Sequence, residues 1–196
     1  MSIRIITISR EFGSGGRTIG KALAEKLGIP CLDSEIIDRV AEKSGFAKEY
    51  VADKGEYVGT VAFSSIFRSN AYYKYSNEDI IWDMQSKIIL EQAEKGPCVI
   101  VGRCADYILR ERDDVLKVFI CADKQSRAKR IVEVYGEKEE SPEKRLKDKD
   151  KRRTSYYHYY TDMKWGDARN YDIALNSASI GIDRCVDILY SMCKES

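Results

Sequence analysis

ISREFGSGGRTIGKALAEKLG, Ile8 to Gly28, is the stretch whose reading decides the fold. An apolar, β-branched run, Ile3–Ser9, leads into it and reads as a strand. Behind it Ile19, Leu23 and Leu27 recur at helical spacing, and Gly28 is a natural stop. Between strand and helix, EFGSGGRT (Glu11–Thr18) has the outline of a phosphate-binding loop. In such a loop glycines let backbone N–H groups converge on an anion, and the helix N-terminus adds about half a positive charge. On this reading Gly13, Ser14, Gly15 and Gly16 cradle the phosphates, Arg17 supplies the cation and Thr18 offers its hydroxyl to Mg²⁺. Two letters depart from the usual motif. Glu11 stands where the first glycine belongs, and Arg17 stands where the lysine belongs, a planar fork in place of a point charge. Glu11 is expected to flank the cradle without lining it.

Composition bounds the rest. A chain of 196 residues fits one domain, and 43% hydrophobic residues suffice for a core. A net charge of +1 argues against a nucleic-acid coat or a polybasic membrane anchor. No apolar run approaches the ~20 residues that span a bilayer, and no signal-peptide pattern opens the chain. Six cysteines without a Cys-x-x-Cys pair, beside one histidine, argue against zinc and suit reduced thiols in the cytoplasm. The expected partners are therefore small molecules, not nucleic acid or membrane, with a monomer or homodimer as the assembly.

Strand and helix alternate along the chain. Ile29–Asp33 reads as a short buried strand, followed by a helix that Ser34 would cap, running to about Lys43 and ending at Gly45. Residues 46–76 have no stable period. An apolar stripe (Ile80, Ile81, Met84, Ile88, Ala93) marks a helix from Asn77, stopped by Gly96-Pro97. Strands are expected at Cys98–Gly102, Val115–Ala122 and Tyr171–Asn176. Helices are expected near Ala105–Arg112, Gln125–Tyr135 and Ile182–Cys193. Five strands separated by helices imply a parallel sheet covered on both faces, with ligands at the carboxyl ends of the strands. Asp33 and Gly102-Arg103 lie just past strand ends, on the rim shared by the glycine loop. Asp33 could hold Mg²⁺ or orient an acceptor oxygen, and Arg39 could clamp a second phosphate. Taken singly, Ser34 and Arg39 read as an ordinary N-cap and a surface arginine.

These stretches together carry a resemblance. ITISREFGSGGRTIGKALAEKLGIPCLDSEIIDRV resembles the opening of the cytidylate kinase-like family, a branch of the P-loop nucleoside-monophosphate kinases. PCVIVGRCADYIL (Pro97–Leu109) resembles that branch's third strand and Gly-Arg turn. DKDKRR, YYHYYT and WGDARNYDIALN resemble its distal half. The resemblance implies an α/β, three-layer P-loop kinase fold with a five-stranded parallel sheet, an acceptor-binding helical insertion (about 46–76) and a lid (about 136–165). The core is then 1–45, 77–135 and 166–196 of a single domain. It implies ATP as phosphate donor, Mg²⁺, and a nucleoside monophosphate acceptor, most readily CMP or dCMP. LDSEIIDR puts Ser34 and Arg39 on acceptor-binding positions, with Glu35 where the relatives have glycine. Arg103 matches the arginine that binds the acceptor phosphate, and Cys104 replaces the aspartate after it. The substitutions at Glu11 and Arg17 look normal for this branch.

Between Ser141 and Arg153 seven basic side chains stand against three acidic ones. Mobile cations of this kind stabilise the charge that a phosphoryl-transfer transition state spreads over its oxygens. Asp150 and Arg153 have the lid's Asp-x-x-Arg spacing, which places them on one helical face. Arg17, Asp33 and Arg153 are thus the expected catalytic residues, Thr18 and Asp33 the metal ligands. The tyrosines of Ser155–Tyr160 are expected to pack the lid on the core. A kinase of another small acceptor, and a nucleotide sensor without turnover, remain the alternatives.

Overall fold

The computed structural model describes residues 3–54, 76–136 and 141–194. Five strands form one parallel sheet: β1 (Ile5–Arg10), β2 (Cys31–Leu32), β3 (Cys98–Val101), β4 (Val115–Cys121) and β5 (Ile173–Asn176), in the order β2-β3-β1-β4-β5. β1 is central, with Ile5 opposite Cys98 on one side and Val115 on the other. The helices are α1 (Gly16–Leu27), α2 (Ser34–Ser44), α3 (Lys48–Lys54), α4 (Asn77–Lys95), α5 (Ala105–Ile108), α6 (Lys124–Glu133), α7 (Pro142–Thr161), α8 (Ser177–Ile180) and α9 (Ile182–Lys194).

The strand period of two divides the core. Ile5, Cys98, Ile100 and Val115 face one side, where Ile36 and Val40 of α2 and Ile81, Ile88 and Ile89 of α4 cover them. Ile6, Ile8, Val99, Val101, Val118 and Ile120 face the other, against Ile19 and Leu23 of α1 and Cys185, Val186 and Leu189 of α9. Both faces are buried, which is why the strands read as unbroken apolar runs. A third, smaller cluster joins α7 to α4: the Trp82 and Tyr160 rings stack at 4.3 Å, and Tyr156 and Tyr157 are buried beside them. The tyrosine run thus packs the helix, and His158 is left exposed.

Several boundaries differ from the sequence expectation. Ser34 is the first residue of α2 and does not cap it. The cap position falls to Asp33, whose N–H donates to Glu35 Oε2 at 3.0 Å. The helix after Gly102 starts at Ala105 as expected but lasts only four residues, ending where Leu109 leaves helical geometry at φ −99° and ψ +15°. The charged segment holds one 20-residue helix, α7. Of the expected acceptor insertion, α3 is described and 55–75 lies outside the described residues, as does 137–140 of the expected lid. Among the described residues no helix is long and apolar enough to cross a membrane.

Candidate active site

The rim is built first by the turn from β1 into α1. Gly13 and Gly15 adopt φ of +81° and +82°, a conformation that costs an L side chain strain, and a Cβ on Gly13 would lie 2.9 Å from Arg127 O. Ser14 is buried beneath the turn. Its hydroxyl donates to Glu11 O (2.9 Å) and Ile120 O (3.0 Å), and its own carbonyl accepts from Ser177 Oγ at 2.5 Å. α1 starts at Gly16 with no side-chain cap and no acidic residue in its first turn. Its N-terminal amides and dipole are therefore left to an external anion. Glu11 turns away: its carboxylate accepts Ala122 N at 3.0 Å and sits 3.5 Å from Arg127 Nε.

Guanidinium groups surround this loop. Arg17 is half exposed and pairs with the buried Asp33 carboxylate at the end of β2. Thr18 Oγ1 accepts from Arg130 Nη2 at 3.0 Å, and Arg130 in turn lies 5.9 Å from the Tyr135 ring centroid. Arg127, 5% exposed, donates to Phe12 O (3.2 Å) and pairs with Asp150 at 2.5 Å. Arg127 and Arg130 were not among the expected site residues. The readable signal for Arg127 was its place four residues before Ile131, a cation on the buried stripe of α6.

The second half of the rim is a small cleft between the ends of β1 and β3 and the helix α7. Gly102, Arg103 and Cys104 have φ of +75°, +60° and +53°. Two adjacent non-glycine residues in this region are uncommon and need surrounding structure to hold them. Gln85, 1% exposed, provides part of it by donating to Arg103 O at 3.2 Å and to Tyr156 Oη at 3.3 Å. The turn brings the Arg103 side chain to the cleft. It is 8% exposed, yet its Nη1 has no hydrogen-bond partner among the described residues.

α7 forms the far wall. Asp150 accepts Phe12 N at 2.8 Å and pairs with Arg127, so one carboxylate ties this helix to the glycine loop and to α6. Arg153, one turn on, donates to Arg10 O at 3.1 Å and lies 5.6 Å from the Phe12 ring centroid. Beneath the cleft Asp106 accepts Ser9 Oγ (3.2 Å) and Tyr157 Oη (2.7 Å), and burial pushes its carboxyl up from the ordinary carboxylate value. A buried carboxylate thus stands two positions past Cys104.

The structure gathers Gly13–Thr18, Asp33, Arg103 and Arg153 on the carboxyl ends of β1, β2 and β3. Ser34 and Arg39 are placed differently. Ser34 is exposed on the first turn of α2, and Arg39 lies half-buried further along it, where the charge neighbour it influences is Glu91 of α4. Neither lines the cleft. Arg10 does line it; the expected strand stopped at Ser9, and Arg10 was given no role.

A family model described as the cytidylate kinase-like family matches residues 5–179. The cytidylate kinase of Archaeoglobus fulgidus is 30% identical over 189 residues, covering 94% of this chain and 91% of the relative. That of Methanococcus vannielii is 29% identical over 188 residues, covering 94% and 97%. The crystal structure of an uncharacterized protein from Eubacterium ventriosum is similar at 31% identity and a TM-score of 0.74, covering 98% of this chain and 99% of that one. A shikimate kinase from Acinetobacter baumannii shares the fold, with a TM-score of 0.56 at 18% identity over 99% and 95% of the two chains.

Proposed function

The chain belongs to the cytidylate kinase-like family, and on that premise we propose that it transfers the γ-phosphoryl group of ATP to a nucleoside monophosphate, CMP or dCMP before others. It is a kinase of P-loop fold. The observation that carries the acceptor assignment is the Arg103 guanidinium, nearly buried, one nitrogen without a partner among the described residues, in a cleft beside the uncapped start of α1. A buried cation without its hydrogen bonds costs free energy that an anionic group repays.

In this reading the amides of Gly13–Gly16 and the Arg17 side chain hold the donor phosphates, and Arg103 holds the acceptor phosphate. An acceptor phosphate oxygen forms the new bond to the γ-phosphorus as the bond to the β-phosphate oxygen breaks, and ADP leaves. No covalent enzyme intermediate is required, because positioning and charge lower the barrier. Arg153, held on the Arg10 carbonyl, faces the gap between the two phosphates. Ser34 and Arg39 belong to the acceptor side through α2 and reach it only if α2 and the acceptor approach one another.

The donor set suits Mg²⁺, which binds proteins through one or two oxygens and takes the rest of its shell from phosphates and water. Thr18 Oγ1 and the Asp33 carboxylate would hold it, and it would supply charge neutralisation to the phosphates. Each of these oxygens is now paired with a guanidinium, Arg130 and Arg17 respectively. A polyphosphate is the stronger partner for both arginines and so frees the two oxygens. The reading carries with it a cytoplasmic location, small-molecule substrates, and a monomer or homodimer.

The test is ADP release with ATP and Mg²⁺ over a panel of nucleoside monophosphates, shikimate and sugars. Turnover fastest with CMP or dCMP is expected. Turnover only with shikimate or a sugar would move the enzyme to another acceptor class, and nucleotide binding without ADP release on any acceptor would make it a sensor.

A further inference from the structure

Resting on the reading of the cleft as the acceptor-phosphate site, we propose that Gln85 is a positioning residue for that site, holding the Arg103 turn in the conformation that aims its guanidinium at the acceptor phosphate. Ile81, Gln85, Ile88, Ile89 and Ala93 form the buried face of α4, and Gln85 is the polar member of that stripe. It is 1% exposed, at a position where an apolar side chain would suit the core. A buried amide costs free energy unless its N–H groups are bonded. Gln85 Nε2 donates to Arg103 O at 3.2 Å and to Tyr156 Oη at 3.3 Å. Arg103 and Tyr156 both line the cleft, and Gln85 stands behind them.

The turn needs such a hold. Arg103 and Cys104 have φ of +60° and +53°, a region that strains any residue with a Cβ and persists only where the surroundings over-determine it. Main-chain amides fix the positions on either side of Arg103. Gly102 O accepts Ala105 N at 3.2 Å, and Cys104 O accepts Tyr107 N at 3.0 Å and Ile108 N at 2.9 Å. The carbonyl between them accepts from Gln85, a side chain of another helix. Relaxation of Arg103 to negative φ would break this bond and redirect its side chain. That side chain is nearly buried, with Nη1 lacking a partner among the described residues, and a guanidinium fork grips phosphate only when its aim is right. Through Tyr156 the same amide joins the turn to α7, so the two walls of the cleft are set together.

Equilibrium binding tests this without turnover. Trp165 lines the cleft, so its fluorescence follows titrations with CMP and with inorganic phosphate, and Mg²⁺-ADP is the control for the glycine loop. Gln85→Met keeps the length and removes both donors. It is expected to weaken CMP and phosphate about tenfold, with Mg²⁺-ADP affinity changed by less than about twofold. Gln85→His, with one ring N–H at similar reach, should recover part of the loss. Arg103→Met should weaken both ligands at least as much. Adding Gln85→Met to it should cost little more, since the two changes act on the same guanidinium. Tyr156→Phe leaves the Arg103 carbonyl bonded and should lose less. If Gln85→Met does not fold, Gln85→Leu decides. Binding that needs Arg103 and is unchanged in the Gln85 variants, or a loss shared equally by Mg²⁺-ADP, overturns the proposal and leaves the acceptor reading standing. A wild type that binds neither CMP nor phosphate, or an Arg103→Met that changes neither, overturns both. Phosphate binding that needs Arg103 and Gln85, in an enzyme that phosphorylates no nucleoside monophosphate, assigns Gln85 and removes the acceptor named above.

Discussion

Asp106 shows how one residue ties the cleft to its support. Its carboxyl is 3% exposed, hydrogen-bonded to Ser9 and Tyr157, and burial holds its proton more tightly than water would. The sign follows from linkage: a carboxyl whose folded pKa is raised favours the fold at low pH and loses that contribution as pH climbs above the unfolded value of 3.8. Asp106→Asn keeps the shape of the protonated group and one acceptor oxygen, and offers an N–H to the other hydroxyl in place of accepting from it. In urea unfolding the variant should gain on the wild type as pH rises above 3.8, and the gain should level off once the folded carboxyl has ionised. Parallel profiles would mean that Asp106 is ionised in the fold. Residues of this kind were poorly legible in sequence. Glycines and the Gly-Arg turn announce themselves by type and spacing. Arg10, Asp106, Arg127 and Arg130 look like ordinary charges until the partners that bury them, mostly about a hundred residues distant, are known.

At the scale of the element, α7 is read best as a clamp. Its charged half meets the glycine loop through Asp150 and Arg153, and its aromatic half is stacked on α4 through Trp82 and Tyr160. The sequence reading found the Asp-x-x-Arg spacing and the common face. It could not show that Asp150 reaches Phe12 and Arg127, because nothing local to 142–161 names those partners. Asp150→Ala removes an acceptor from a main-chain N–H and an ion pair from the buried Arg127. Unfolding in urea should report a loss of roughly 1–3 kcal/mol, with Asp150→Asn losing less because it still accepts from Phe12. Equal stability of all three proteins would show that this contact does not hold the helix. The strands and the helices α1, α4 and α9 were legible throughout, since apolar period alone specifies them. α3 was not, with Val51 its one buried residue.

Over the whole molecule, the sheet order sets the rim where the glycine loop and the Arg103 cleft meet, so under the proposed function ligands should stabilise the entire domain. ATP with Mg²⁺ at about a hundred times its Kd should add about 2.7 kcal/mol, a rise in Tm of roughly 5–10 °C for a chain of this size. A scan with and without nucleotide measures it, and no shift would remove ATP as the donor. The same order has a consequence for biosynthesis. β1 is central, and its two neighbours β3 and β4 are encoded about 90 and 105 residues later. At roughly 5–20 residues per second, the apolar run Ile5–Ile8 leaves the ribosome several seconds to about 20 s before either neighbour exists. Throughout that interval the strand that will lie deepest in the finished protein is its most exposed adhesive segment, and the nascent chain depends on α1 or on a chaperone to cover it.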